Sequence, residues 1–118
     1  MTNSGFSANF GQIQVQELAR YLTGALQVQL IDVREPEEVA IAYIPGFEVL
    51  PLSEFAIWSA NIYQRFDPEV ETLVLCHHGI RSAQMCNWLV SQGFKQVKNI
   101  SGGIAAYAQV VDPAMPQY

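Results

Sequence analysis

Basic residues are scarce in this chain, which carries six Lys and Arg against eleven Asp and Glu and has a formal net charge of −5 at pH 7. A surface of that sign repels the phosphates of nucleic acids and of anionic lipids. We therefore expect neither nucleic acid nor a membrane among the partners. A cationic pocket in such a protein must be built from a few side chains and from backbone dipoles.

Cysteines and long apolar runs are also lacking. Two cysteines are too few for a disulfide scaffold. If residues 81–92 are helical, Cys86 lies about 7.5 Å along the axis beyond Arg81, and a bond to Cys76, which needs Cα atoms within about 7 Å, is not expected. Residues 1–12 have neither the basic start nor the apolar core of a signal peptide, and no run reaches the length of a membrane span. These absences predict a reducing, soluble compartment, the cytoplasm.

What the chain does contain suits one compact domain. Half of its 118 residues are apolar and 14% are charged, which is typical of an α/β protein. Short β-rich runs alternate with segments of helical period, and this alternation predicts a parallel sheet with helices on both faces. The predicted strands are 28–33, 48–52, a run that ends at Cys76, and 96–100, and the predicted helices are 15–23, a helix from Pro36, 54–66 with Ser53 as its N-cap, 81–92 and 104–111.

The chain divides into three parts by composition. Residues 1–11 are small, polar and glycine-bearing, and we interpret them as a loose leader. Residues 12–108 form the domain. Residues 109–118 are predicted to be a tail that packs on the domain, and this tail contains two prolines.

The most informative segment is 72–82, Thr-Leu-Val-Leu-Cys-His-His-Gly-Ile-Arg-Ser. A short apolar strand ends at Cys76, a loop with Gly79 follows, and a helix begins near Arg81. The first N–H groups of a helix are unpaired and carry partial positive charge, which favours a thiolate, the nucleophilic form of cysteine. Cys76 is therefore predicted to be a nucleophile in an anion-binding loop. Cys86, on the inner face of the predicted helix, is interpreted as a small buried hydrophobe.

Other polar residues near this segment receive more modest interpretations. Asp32 ends a predicted strand, and ligands of parallel sheets bind beyond the carboxyl ends of strands. We interpret Asp32 as an acceptor of backbone N–H groups that anchors the loop, and Arg34 as the partner of a nearby glutamate. His77 and His78 are adjacent to Cys76, but three consecutive residues rarely surround one ion. We therefore predict partly exposed loop histidines and no metal site.

Four motifs together resemble a single-domain rhodanese, over about Ile13 to Ala108. They are Leu-Ile-Asp-Val-Arg-Glu-Pro-Glu-Glu (30–38), Tyr-Ile-Pro-Gly (43–46), Cys-His-His-Gly-Ile-Arg-Ser (76–82) and Ser-Gly-Gly-Ile (101–104). The resemblance implies a five-stranded parallel α/β domain and sulfurtransferase activity. It implies that Cys76 takes a sulfane sulfur from a small anionic donor such as thiosulfate and passes it to cyanide or a thiol, with a protein as an alternative donor or acceptor. No metal or organic cofactor is implied.

The chemistry of the segment fits this resemblance. Thiosulfate and a persulfide are both anionic, so amides of His77, His78, Gly79, Ile80, Arg81 and Ser82 arranged around the sulfur would stabilise them. Gly79 permits a backbone angle that turns its N–H inward. We expect Arg81 to hold the incoming anion in a fork and Ser82 to donate a hydroxyl hydrogen bond.

Three alternatives stay open. Dual-specificity phosphatases of the cell cycle share the fold, but their signature places five residues between Cys and Arg, and only four lie between Cys76 and Arg81. The shorter loop suits one sulfur atom and crowds a phosphate. Arsenate reduction also needs a tight thiolate loop. The third alternative is a rhodanese-fold binding or regulatory module with weak activity.

Overall fold

The computed structural model describes residues 9–24 and 27–118. Five strands form one sheet: β1 (Gly11–Ile13), β2 (Gln29–Asp32), β3 (Glu48–Val49), β4 (Thr72–Leu75) and β5 (Val97–Ile100). Six α-helices accompany it: α1 (Val15–Thr23), α2 (Pro36–Ile41), α3 (Phe55–Trp58), α4 (Ile62–Arg65), α5 (Ile80–Ser91) and α6 (Gly103–Val110). Within these described ranges, no helix combines the length and apolarity needed to cross a membrane.

The sheet is entirely parallel, with the strand order β1-β5-β4-β2-β3. The predicted α/β class and the five-stranded parallel sheet are confirmed. Strands β2 and β4 are neighbours, and Asp32 pairs with Leu75 at their carboxyl ends. Asp32 and Cys76 therefore share one edge of the sheet, where parallel sheets bind ligands.

Two apolar clusters cover the two faces of the sheet. One joins alternate strand residues to the inner sides of α3, α4 and α5; its largest helical members are Trp58, Ile62, Met85 and Leu89. The other packs α1 and α6 on the opposite face, through Val15, Leu18 and Ile104. Side chains alternate between faces along a strand, so Val74 belongs to the first cluster and Leu73 and Leu75 to the second. All four residues of β4 are buried, as expected for the central strand.

The predicted helix over 54–66 is wrong as a continuous element. The segment is divided into a 3₁₀ turn (Leu52–Glu54), α3, a second 3₁₀ turn (Ser59–Asn61) and α4. Ser53 does not cap it: its amide and hydroxyl both donate to the carboxylate of Glu35. The indole of Trp58 donates to the carbonyl of Pro51 at 2.7 Å. These tertiary hydrogen bonds and the burial of Trp58 determine the local path, since helices this short derive their stability from packing.

The first strand was not predicted. Gly11, which the sequence assigned to the leader, is the first residue of β1. A strand of three residues is too short to show the alternation of apolar and polar residues by which strands are predicted. Its pairing with β5, where Ile13 lies opposite Ile100, specifies it instead. Residues 1–8 of the predicted leader lie outside the described residues.

Candidate functional site

Cys76 follows β4 directly and is 1% exposed. Three residues later Gly79 forms the N-cap of α5 with φ 100°, a left-handed conformation that favours glycine. This conformation turns the Gly79 amide back towards the cysteine, and its N–H donates to Cys76 Sγ at 3.0 Å. The sulfur therefore lies within hydrogen-bonding distance of a fixed backbone donor, the arrangement that stabilises a developing anion.

Helix α6 holds the other side of the loop. The amides of Ile104 and Ala105 donate to the carbonyls of Cys76 and His77 at 2.9 and 3.0 Å. Gly103 has φ 61°, and a Cβ there would overlap both of these carbonyl oxygens. The absence of a side chain at this position is what allows the start of α6 to approach the loop backbone.

Ser82 and Asn99 lie behind the sulfur. Ser82 Oγ is 3.2 Å from Cys76 Sγ and donates to Asn99 Oδ1 at 2.5 Å. Ser82 is fully buried and Asn99 is 4% exposed. The sequence predicted a hydroxyl hydrogen bond from Ser82 to the anion, whereas in this structure the Ser82 proton is directed at Asn99.

Arg81 is paired with Glu38 of α2. Its two terminal nitrogens donate to the two carboxylate oxygens at 2.7 and 2.8 Å. These hydrogen bonds raise the pKa of Arg81 and lower the pKa of Glu38 to about 2. The sequence predicted that the Arg81 fork would hold an incoming anion; in this structure a carboxylate of the protein occupies the fork.

Arg34 and Asp32 form a buried ion pair beside this site. The Arg34 guanidinium donates to both oxygens of Asp32, the shortest contact being 2.8 Å, and the side chains are 0% and 1% exposed. The prediction that Arg34 pairs with a glutamate is wrong, because its partner is the carboxylate of Asp32, the last residue of β2. Asp32 accepts the amide of Arg34 at 3.1 Å. Burial opposes the charge of Arg34, but the hydrogen bonds with Asp32 and Tyr118 outweigh it and raise the Arg34 pKa.

The tail brings Tyr118 into this network. Its hydroxyl accepts from Arg34 at 2.9 Å and donates to Glu38 at 3.1 Å. Its ring stacks on His77, with centroids 3.9 Å apart and planes 13° apart, and His77 stacks in turn on His78. Burial and the neighbouring His78 lower the pKa of His77. The tail thus contacts both the loop that follows Cys76 and the ion pair between Arg81 and Glu38.

A cleft of about 110 Å³ lies between this tail and α6. The loop histidines form one of its walls, and Ala105, Ala108 and Gln109 of α6 form another. On the outer side of the loop Ile80 is 72% exposed. The loop therefore presents an apolar side chain to solvent next to a buried sulfur.

Cys86 lies in the apolar cluster on the α5 side and is fully buried. Burial raises the pKa of its thiol to about 12, so it stays protonated at neutral pH. Both cysteines are free thiols. In the ranges 9–24 and 27–118, no group of three or more His, Cys, Asp and Glu side chains is placed to hold a metal ion.

Three residues of the site were not predicted from the sequence: Glu38, Asn99 and Tyr118. Glu38 carried a recoverable signal, since its carboxylate closes a capping box with Glu35 at the start of α2. Asn99 follows the charged Lys98 in the predicted strand 96–100, so no local pattern indicated that its side chain is buried. Tyr118 carried no signal, because a tail's docking position depends on the whole surface.

Comparisons with known proteins agree with this architecture. Residues 14–110 match the family model described as a rhodanese-like domain. The chain is 51% identical over 109 residues to the rhodanese-like/PpiC domain-containing protein 12, chloroplastic, of Arabidopsis thaliana, covering 90% of this chain and 36% of that relative. It is 34% identical over 98 residues to a sulfurtransferase of Allochromatium vinosum, covering 83% and 88% of the two chains.

A solved structure is similar over most of its length. The rhodanese-like domain protein of Staphylococcus aureus superposes with a TM-score of 0.72 at 28% identity, covering 83% of this chain and 91% of that one. The family model, the relatives and the parallel sheet agree with one another. The chain belongs to the rhodanese-like domain family.

Proposed function

We propose that this protein is a sulfurtransferase that carries a sulfane sulfur as a persulfide on Cys76. The donor is thiosulfate or a similar small sulfur anion, and the acceptor is a thiol or cyanide. The observation that carries the proposal is the Gly79 N–H at 3.0 Å from Cys76 Sγ, because it gives a sulfur anion a fixed donor without supplying a competing nucleophile.

The proposed reaction has two displacement steps. The Cys76 thiolate attacks the outer sulfur of thiosulfate; an S–S bond forms, the bond to the sulfonate sulfur breaks, and sulfite leaves with the electron pair. The acceptor, as thiolate or cyanide, then attacks the outer sulfur of the persulfide. The Cys76 thiolate leaves, and the product is a new persulfide or thiocyanate. Charge is conserved in both steps, and no other redox partner is consumed.

The roles proposed for the surrounding residues follow from their contacts. In this proposal the loop from His77 to Ser82 binds the sulfur anion, a role supported by the Gly79 amide that donates to Cys76 Sγ. Arg81 would attract the anionic donor once Glu38 releases it. Asp32 and Arg34 support the site by holding helix α2, which carries Glu38, since Arg34 also donates to the Glu38 carbonyl at 3.4 Å.

A protein donor or acceptor is the alternative to a small molecule. The exposed Ile80 supports it, because an apolar side chain beside the loop suits contact with a protein surface. A reducing compartment such as the cytoplasm is part of the proposal, since the reaction requires Cys76 as a free thiol.

Mass spectrometry after incubation with thiosulfate tests the proposal. The protein should gain the mass of one sulfur atom, and cyanide should remove it. Cys76→Ser should abolish the gain, whereas Cys86→Ser, a matched change at the buried thiol, should retain it. If Cys86→Ser loses the sulfur and Cys76→Ser keeps it, the nucleophile is misassigned. If the wild-type protein gains no sulfur from thiosulfate or from a protein persulfide, the binding-module alternative is favoured.

A phosphatase is the second candidate, and the tight loop disfavours it. Four residues separate Cys76 from Arg81, and the Gly79 amide already lies at hydrogen-bonding distance from the sulfur, which leaves little room for a tetrahedral phosphate. Hydrolysis of an aryl phosphate should be negligible beside sulfur transfer at equal enzyme concentration. Hydrolysis that equals or exceeds sulfur transfer would reverse this order.

A further inference from the structure

The amide of Asn99 is held in one orientation by its partners. Asn99 Nδ2 donates to the carbonyl of Gly79 at 3.0 Å and lies 3.3 Å from Oε1 of Gln12. A carbonyl oxygen only accepts. Asn99 therefore must turn its Nδ2 towards Gly79, and its acceptor Oδ1 must face Ser82.

This orientation determines where the Ser82 proton goes. Oδ1 cannot donate, so the 2.5 Å contact between Ser82 and Asn99 requires the Ser82 hydroxyl to be the donor. A hydroxyl has one proton. Ser82 Oγ consequently presents a lone pair to Cys76 Sγ at 3.2 Å, a contact that is favourable to a thiol, which can donate, and unfavourable to a thiolate, which cannot.

These two contacts therefore have opposite effects on the ionisation of the Cys76 sulfur. The Gly79 N–H favours an anion, and the Ser82 lone pair favours a protonated thiol. A reversal of the Ser82 hydroxyl, away from Asn99, would supply a second donor to the anionic sulfur.

We propose that Asn99 is a positioning residue that directs the Ser82 hydroxyl away from Cys76 and so sets the ionisation of the nucleophile. The Asn99 side chain contacts Ser82, Gln12 and the Gly79 carbonyl, and it acts on the sulfur through Ser82. The consequence for sulfur transfer rests on the proposed function, but the ionisation of Cys76 does not.

The test measures the pH dependence of Cys76 alkylation by iodoacetamide, followed by mass spectrometry of the peptide that contains residue 76. Asn99→Leu removes the acceptor while keeping similar volume, and it should free the Ser82 hydroxyl to donate to the sulfur. A hydrogen bond to a charged group should lower the pH midpoint of alkylation by about one unit. Asn99→Asp, which keeps an acceptor oxygen and adds negative charge, should not lower the midpoint.

Asn99→Leu also removes the donor to the Gly79 carbonyl. The same substitution in a Ser82→Ala protein separates this effect on the loop backbone from the effect through Ser82. In Ser82→Ala, the route from Asn99 to the sulfur is absent, so adding Asn99→Leu should leave the midpoint unchanged. The charged and titratable neighbours of the sulfur, Arg81 and Cys86 of α5 and the adjacent His77, are the same in all variants. They therefore cannot produce the difference.

Two results would overturn the proposal. One is a shift of the midpoint by Asn99→Leu that is equal in the wild-type and Ser82→Ala backgrounds, which would show that Asn99 acts through the loop backbone. The other is an unchanged or raised midpoint in Asn99→Leu. If Asn99→Leu does not fold by circular dichroism, Asn99→Ala replaces it, both alone and in the Ser82→Ala background, with the same direction expected. Alkylation needs no sulfur donor, so failure of sulfur transfer leaves this result interpretable.

Discussion

At the scale of single residues, Arg81 has one anionic partner in the structure and a second one in the proposed reaction. In this structure its fork is occupied by the Glu38 carboxylate, while the proposed reaction offers it a sulfur anion. Guanidinium groups bind carboxylates and similar planar or forked anions in two-point contacts. The pairing with Glu38 positions the guanidinium beside the loop, and it would compete with the anionic donor of the proposed reaction.

Replacing Arg81 should slow the first step of the proposed reaction. Arg81→Ala should reduce the second-order rate of persulfide formation with thiosulfate by about tenfold to one hundredfold, the loss of one charge-assisted contact. Arg81→Lys should restore only part of it because the planar fork is lost. The measurement is the rate of mass gain at several thiosulfate concentrations. Equal rates in Arg81→Ala and wild type would show that backbone amides alone hold the anion.

The same ion pair should make stability depend on pH. Because the Glu38 pKa is lowered from its ordinary 4.5 to about 2, its contribution is fully present above pH 4.5 and is lost as pH falls towards 2. Glu38→Gln should reduce the free energy of unfolding at pH 7 by about 1–2 kcal/mol, a value discounted for partial exposure.

Urea unfolding of Glu38→Gln and wild type at several pH values measures this contribution. The difference between the two proteins should shrink as pH falls below 4.5. Glu37→Gln, at an exposed position on the same helix, is the matched control and should show no comparable loss. A difference that is constant from pH 7 to pH 3 would contradict the assignment to ionised Glu38.

At the scale of elements, the loop is held between the starts of two helices. Helix α5 begins immediately after Gly79, and α6 donates two backbone hydrogen bonds to the carbonyls of Cys76 and His77. Parallel topology places both helix starts at the carboxyl edge of the sheet. The geometry of the loop therefore depends on a glycine in another element as much as on its own residues.

A methyl group at Gly103 should disturb this packing more than the same change at Gly93. Both glycines have positive φ, but a Cβ at Gly93 meets no atom within 4 Å, whereas one at Gly103 overlaps the loop carbonyls. Gly93→Ala should cost about 1–2 kcal/mol, the backbone strain alone. Gly103→Ala should cost about 2–5 kcal/mol, because overlap adds to the same strain.

Urea unfolding measures both variants, and persulfide formation reports the state of the loop. Gly103→Ala should also impair sulfur loading, while Gly93→Ala should leave it near the wild-type level. Equal losses of stability at the two positions would show that the contact between α6 and the loop carries no energetic weight.

At the scale of the whole molecule, the tail connects regions that are distant in sequence. Tyr118 contacts Arg34 after β2 and His77 after β4. Burial raises the pKa of Tyr118, so its hydroxyl stays protonated at neutral pH and can donate to Glu38. The tail thereby stabilises the arrangement in which Glu38 and Arg81 are paired.

Removing the Tyr118 ring should change the titration of His77. In Tyr118→Ala water should reach His77, and its pKa should rise towards the ordinary value because burial is the main cause of its depression. Tyr118→Phe keeps the stacked ring and should retain the depressed pKa, although it loses the hydrogen bonds to Arg34 and Glu38. Titration of the imidazole signals by NMR measures both. An unchanged His77 pKa in Tyr118→Ala would show that the tail does not shield the loop.

The sequence by itself determined the alternation of strands and helices over most of the chain, the family, and the position of Cys76 between a strand and a helix start. Apolar runs that alternate with helical segments permit only a parallel sheet with covered faces, and the position of Cys76 between a strand and a helix start follows from local patterns. These features depend on residues close in sequence, where spacing and composition carry the information. Strand β1 and the division of residues 52–65 were not predictable in this way, because β5 and Glu35 specify them from a distance.

Only the tertiary structure decided which partners the polar groups of the site take. Arg34 forms an ion pair with Asp32 rather than with a glutamate, and Arg81 forms one with Glu38. The Ser82 hydroxyl donates its hydrogen bond to Asn99. For each of these groups, the chain contains several residues with the same chemistry that could be the partner. Which one forms the hydrogen bond depends on the distance between donor and acceptor to within a few tenths of an ångström. That distance is fixed when the sheet, α6 and the tail pack together, and no local pattern encodes it.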